Sequence, residues 1–268
     1  MVVREKVNLG RTENLLSYLS ATAPEEGYPY TMGIRLAVIP ARGGSKRIRG
    51  KNIRDFLGRP IIAYSIEACI RAARFDRVIV STDSDEIASV AVASGAEVPF
   101  KRPGALADDH TPMRFVIEHA RQWFLAEGLP VDSTACVLAT VPLLTAEGLA
   151  RYFDEWYGSG KPRGFTVCAF SYPPQRGFLF GPRPDEIRLF MPELFQARSQ
   201  DLPTVYHDAG LVYFRRYDLE RDPTVPFISP NSHTIVVGSL ESWDIDTEED
   251  WQIAEALFRA RRPVRDQR

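Results

Sequence analysis

"LAVIPARGGSKRIRGKN", residues 36–52, decides the fold. It opens on an unbroken apolar run, Leu36 to Ile39, and then breaks into two glycines and a crowd of cations. These are Arg42, Lys46, Arg47, Arg49 and Lys51, with Arg54 just beyond. A short apolar run bounded by turn residues reads as a buried strand. A turn that only reverses the chain has no need of such charge, although a solvated basic turn is the plain alternative. In an open parallel sheet, ligands bind beyond the carboxyl ends of the strands. There Gly43 and Gly44 let the backbone approach an anion and turn N–H groups toward it. Arg42 can fork onto two phosphate oxygens while the remaining cations add charge. The loop lacks GxxxxGK[ST] and GxGxxG, which removes the two commonest phosphate-binding loops.

Outward from this loop, strands and helices alternate. Residues 77–81 and 134–140 read as further strands, and 60–74, 85–94, 112–127 and 145–157 as helices. Continuous β-branched runs separated by helices predict an α/β fold, a mostly parallel sheet covered by helices on both faces. Residues 164–170 read as another strand, after which 171–208 is rich in Pro, Arg and aromatics without a period. Strands resume at 209–214 and 233–238, and a last helix spans about 247–261, capped by Asp246 or Thr247. The simplest organisation is an N-terminal extension (1–33, with a short helix at 13–20), one domain over 34–262 with an irregular insertion at about 165–210, and a tail (263–268).

The bulk numbers narrow the partners. Among 268 residues, 33 Lys and Arg stand against 35 Asp and Glu, so the cations of the loop are a local feature. That balance argues against nucleic acid or a membrane surface as the main partner. Cys69, Cys136 and Cys168 lie far apart in apolar runs, which predicts buried thiols in a reducing cytoplasm.

"IPARGGSKRIRGKN" resembles the signature of the sialic acid cytidylyltransferases, and "FDRVIVSTDSDEIA", "GAEVPFKRP", "LADDHT" and "SWDIDTEEDW" follow in that family's order. The resemblance runs from about residue 34 to 260. It implies a Rossmann-like nucleotidyltransferase fold, CTP and a nonulosonic acid as substrates, Mg²⁺, pyrophosphate release and a homodimer. It also implies that the irregular insertion joins two protomers. Under it, Arg42 and Lys51 hold the triphosphate, with Ala41, Gly43, Gly44 and Ser45 in the same loop. Asn52 and Arg102 then lie near the cytidine.

Asp244 and Asp246 sit on either side of Ile245, in a segment that reads as the end of a strand just before the last helix. In an extended segment both carboxylates share one face, and two hard oxygen donors suit Mg²⁺ on substrate phosphates. From the residues alone, Asp246 could equally be a helix cap; the resemblance favours the metal. Asp83 follows a strand and reads either as a nucleotide contact or as a turn residue. The same choice holds for Asp108 and Asp109, and family members often carry Ser or Thr where this chain has Pro112, Met113 and Arg114.

Sialic acid enzymes typically read "QPTSPLR" where this chain has "LATVPLL", so Leu138 and Leu144 replace a Gln and an Arg. "ATVP" (139–142) with "YHDAG" (206–210) resembles the pseudaminic acid branch of the family, although Leu211 stands where that branch usually has Gln. Thr140, Tyr206, His207 and Asp208 are therefore the candidate sugar contacts, with Tyr206 against an apolar end and His207 and Asp208 as donor and acceptor.

Overall fold

The computed structural model describes residues 33–45, 47–183, 186–220 and 222–261. The N-terminal extension to residue 32 with its expected helix, Lys46 and the tail lie outside the described residues.

Strand β1 (Ile34–Pro40) leads through the basic loop into a small hairpin, β2 (Asp55–Phe56) and β3 (Arg59–Pro60), and then α1 (Ile61–Arg71). There follow β4 (Arg77–Ser81), α2 (Asp85–Ala93), α3 (Met113–Ala126), β5 (Val131–Val137), α4 (Ala146–Gly158) and β6 (Arg163–Ala169). A detached hairpin, β7 (Phe178–Phe180) and β8 (Ile187–Leu189), precedes β9 (Tyr206–Arg216), β10 (Ser232–Val237) and α5 (Glu248–Arg261). Six strands form one sheet in the order β10-β6-β9-β5-β1-β4. All neighbours are parallel except β9, which runs antiparallel to both β5 and β6.

Alternation along β1 builds the layers. Ala37 and Ile39 face a core shared with Ile62 and Ile66 of α1 and Tyr152 and Trp156 of α4. Leu36 and Val38 face the opposite layer, against Ile117 and Phe124 of α3. The two faces are thus covered by different helices, as a near-continuous apolar strand requires.

Three sequence readings shift. The strand expected at 134–140 ends at Val137: the Leu138 N–H still reaches the Leu211 carbonyl of β9 (3.1 Å), but the Leu138 carbonyl accepts the Ser65 hydroxyl of α1 (2.9 Å) in place of a strand partner. Residues 139–140 then turn away to line a cleft. The irregular insertion is narrower than expected: 165–169 and 206–210 belong to the main sheet. Asp244–Asp246 is not the end of a strand but an irregular segment. The alternation survives there, with Ile245 fully buried and both aspartates accessible.

Ile245 is held in a third apolar cluster with Ile48 of the basic loop, Phe56, Ile61 and Tyr64, and Trp251 and Ala254 of α5. Phe56 meets Tyr64 and Trp251 edge-on at centroid distances of 5.5 and 5.6 Å, and Phe258 closes on Tyr64 at 5.2 Å. Truncating a buried isoleucine forfeits transfer energy and leaves a cavity. Ile245→Ala is therefore expected to lower unfolding stability by about 3 kcal/mol, read from the urea midpoint at constant slope.

Candidate active site

The loop after β1 is held from several sides. The buried Ala41 gives its N–H to the Ser81 carbonyl at the end of β4 (2.9 Å), and the buried Asn52 amide donates to the Arg42 carbonyl (2.9 Å). The N–H of Gly43 does not face an open anion site, as the sequence suggested; it donates to Asp83 Oδ1 (2.9 Å). Asp83 thus has a role in fixing the loop. A Cβ at position 43 would lie 3.1 Å from that of Ser84, so glycine lets the two turns approach without a shift of either. Gly50, at φ 64°, starts the single helical turn Lys51–Ile53 that points Lys51 back across the loop.

Between this loop, the connection from α2 into α3 and the residues after β5 lies a cleft of about 310 Å³. That volume is at the lower end of the range for small-molecule sites. Arg42, Ser45, Arg47, Lys51, Asn52 and Arg102 line its polar side, and Ile48, Leu106, Met113, Val116 and Leu138 an apolar side. Met113, where the family often has a hydroxyl residue, thus offers apolar contact. Thr140, itself buried, also lines the cleft. Arg102 is nearly fully buried and is braced by the Ser81 hydroxyl (3.1 Å) and carbonyl. Burial pushes its guanidinium down to about 10, against the pull of Asp83, so it stays charged at neutral pH. Two cations of the motif turn elsewhere. Arg54 pairs with Glu248 (2.5 Å) over the face of Trp251, bracing α5, and Arg49 is exposed outside the cleft lining.

The carboxylate pair joins the cleft through its cations. Lys51 Nζ donates to the Ile245 carbonyl (2.6 Å) and lies 3.5 Å from Asp246 Oδ1, while Arg47 pairs with Asp246 Oδ2. Asp246 does not cap α5. Thr247 does: its hydroxyl accepts the Asp250 N–H (3.1 Å), and the Asp250 carboxylate accepts the N–H groups of Asp246 (3.1 Å) and Thr247 (2.8 Å). This reciprocal cap leaves the Asp246 carboxylate to face the basic loop. Asp244 is accessible, yet its carboxyl is held above the usual carboxylate range, first by desolvation and then by the charge of Asp246. A divalent cation would relieve that repulsion. The described residues contain no cluster of three or more metal-ligating side chains. The protein would supply two hard donors and the phosphates and water the rest, which is how Mg²⁺ is commonly held. The residues fit the ion.

Tyr206, His207 and Asp208 open β9 and are exposed, outside the cleft lining. Because β9 runs antiparallel to β5, this end lies at the same edge of the sheet as the basic loop. Ser242 ties the Asp244 segment to it by donating to the Ala209 carbonyl (2.8 Å). His207 meets Phe170 edge-on (4.8 Å) with Nδ1 at 2.8 Å from the Asp208 carbonyl. The Asp208 carboxylate accepts the Gly210 N–H (3.0 Å) and the Tyr213 hydroxyl (2.7 Å). Burial, then the charge of Asp208, pushes the Tyr213 phenol up, and Asp244 adds to the same effect. Sequence reasoning missed Tyr213, Ser81 and the role of Arg47, since no local spacing marks them. Thr247 was legible as one of two caps.

A family described as cytidylyltransferase matches residues 36–161. A pseudaminic acid cytidylyltransferase of Campylobacter jejuni is 38% identical over 227 residues, 84% of this chain and 96% of that protein. The chain belongs to the cytidylyltransferase family. A Legionella pneumophila CMP-N,N'-diacetyllegionaminic acid synthase is 31% identical, covering 83% of this chain and 95% of its own. In fold, the chain is similar to a CMP:2-keto-3-deoxy-manno-octonic acid synthetase solved with CTP (TM-score 0.62, 18% identity, 84% and 98% coverage). The nucleotidyltransferase fold that the resemblance implied is the fold observed.

Behind the cleft, His119 of α3 packs edge-on against Phe100 (4.7 Å), its Nδ1 buried with no hydrogen-bond partner among the described residues. Burial, then the charge of Arg102, pushes it down to about 4. The unfolded chain, with an ordinary histidine of about 6.5, binds the extra proton first as pH falls. Stability contributed by neutral His119 is thus complete above that value and lost progressively toward pH 4. Urea midpoints of wild type and His119→Phe, followed from pH 7 down to 4, are expected to fall less steeply for the variant.

Proposed function

We propose that this cytidylyltransferase joins CTP to pseudaminic acid, a nonulosonic acid, giving the CMP-sugar and pyrophosphate. The observation that carries the reading is the near full-length, 38% identity to a protein of that name. Supporting it, the "YHDAG" strand end stands at the same sheet edge as a cationic, nucleotide-sized cleft. In the reaction the anomeric hydroxyl of the sugar attacks the α-phosphorus in line, and the bond from that phosphorus to the bridging oxygen breaks. Arg42 and Lys51 take up the negative charge that builds on the departing pyrophosphate. Lys51 stands between cradle and carboxylates, bonded to the Ile245 carbonyl, so it can serve the phosphates while holding the pair in register. Asp244 and Asp246 would hold Mg²⁺, which when bound supplies positive charge to the phosphates and polarises oxygen. The remaining catalytic effect is positioning of two reactants by Arg102, Asn52 and the apolar wall.

The reading includes a homodimer and a cytoplasmic enzyme. Tyr172, Phe178, Phe180, Ile187 and Phe190 are exposed together in the segment around β7 and β8, more apolar surface than an isolated subunit commonly leaves in one region. Three free buried cysteines suit a reducing compartment.

Pyrophosphate release from CTP and Mg²⁺ is measured in parallel with pseudaminic, legionaminic and N-acetylneuraminic acids. Release with pseudaminic acid is expected, and release with another acid in its place overturns the sugar assignment. Asp244→Ala should abolish turnover while CTP still binds; an unchanged kcat sinks the metal assignment. Lys51→Ala should lower kcat/KM about 100-fold, ~3 kcal/mol of transition-state stabilisation, and a loss below tenfold removes it from the mechanism.

A further inference from the structure

The phosphate side of the cleft contains something an anion site should avoid. Amid Arg42, Arg47, Lys51 and Arg102, the lining includes two aspartates, Asp108 and Asp109. Asp108 is spent on its own turn. Its carboxylate accepts the N–H groups of His110 (2.8 Å) and Thr111 (2.6 Å), which hold it below the usual carboxylate range. The Thr111 hydroxyl fastens the same turn to the Ala105 carbonyl (3.2 Å). This pinned turn carries Asp109 to the cleft, where its carboxylate pairs with the guanidinium of Arg42. Both side chains keep about a third of their surface exposed (33% and 32%), so the pair is within reach of a competing solute. A carboxylate fixed opposite the cation that meets the triphosphate weakens substrate binding, unless it serves a later step.

We propose that Asp109 is a positioning residue that acts through Arg42. It holds the guanidinium across the mouth of the empty cleft, yields it to an entering polyphosphate, and takes it back as pyrophosphate leaves. The inference rests on the nucleotidyltransferase reading of the cleft. It casts Asp109 as a competitor of phosphate rather than a contact to it, and so as a determinant of product release.

The test is calorimetric titration of pyrophosphate and of CTP, without divalent ions, into wild type, Asp109→Asn, Arg42→Ala and the double variant. Asp109→Asn is expected to bind pyrophosphate about fivefold more tightly, the size expected when a partly exposed ion pair stops competing. The gain should vanish in the Arg42→Ala background, since a double-variant cycle isolates the pair. In steady state, KM for CTP and the inhibition constant of pyrophosphate should both fall. Asp109→Ser, which keeps no amide, should shift pyrophosphate in the same direction. Unchanged or weaker pyrophosphate binding in Asp109→Asn overturns the inference, as does an equal gain without Arg42. Wild type that binds neither CTP nor pyrophosphate overturns the nucleotide reading and this inference with it; wild type that binds both, beside an unresponsive Asp109→Asn, overturns the inference alone.

Discussion

Ile245 joins the two halves of the site. Its side chain is buried with Ile48 of the basic loop and Trp251 of α5, and its carbonyl accepts the Lys51 ammonium. One residue therefore fixes the carboxylates on either side of it relative to cations almost two hundred positions earlier. Burial of the side chain supplies the energy, because the hydrophobic effect is non-directional and strong. The Lys51 bond supplies direction, because a hydrogen bond restricts angle as well as distance. Remove either and the aspartates lose their place even where their own chemistry is intact.

Around that anchor the charges balance one another. Arg42 faces Asp109, Arg47 and Lys51 face Asp246, Arg54 faces Glu248, and Gly43 leans on Asp83. A loop with this many cations would repel itself if its charges were unmatched. Carboxylates drawn from three other segments neutralise it before any phosphate arrives. The residues that reach the cleft and those that only brace it are chemically alike, all arginines and lysines a few positions apart. What separates them is the neighbour each meets: Arg54 lies over Trp251 and is withdrawn, whereas Arg102 is buried against Ser81 and held at the cleft wall.

Much of the fold was legible because strands buried on both faces and helices with one apolar face carry distinct periods. The positions of β1, β4 and the helices follow from those patterns within a few residues. The end of β5 did not, because Leu138 and Ala139 are as apolar as a strand, and the chain leaves the sheet where the Leu138 carbonyl accepts the Ser65 hydroxyl of α1. Tyr206–Asp208 looked like irregular chain for the opposite reason: exposed polar residues belong to a strand here through pairing with β6, which no local pattern records. Asp244–Asp246 kept the alternation of a strand without being one, since burial of Ile245 alone imposes it.

The order of residues in the chain was enough to identify an anion-binding loop at the end of a buried strand, a pair of carboxylates flanking a buried residue, and the family whose motifs these are. Those are local facts, set by side-chain type and spacing over a dozen positions. Which cations face the cleft, which aspartate braces the glycine turn, which residue caps α5 and what holds Asp208 were settled by contacts between segments up to two hundred residues apart. Such contacts depend on sheet order and on the antiparallel run of β9, and loop closure over that length leaves no periodic trace in the sequence for a reader to find.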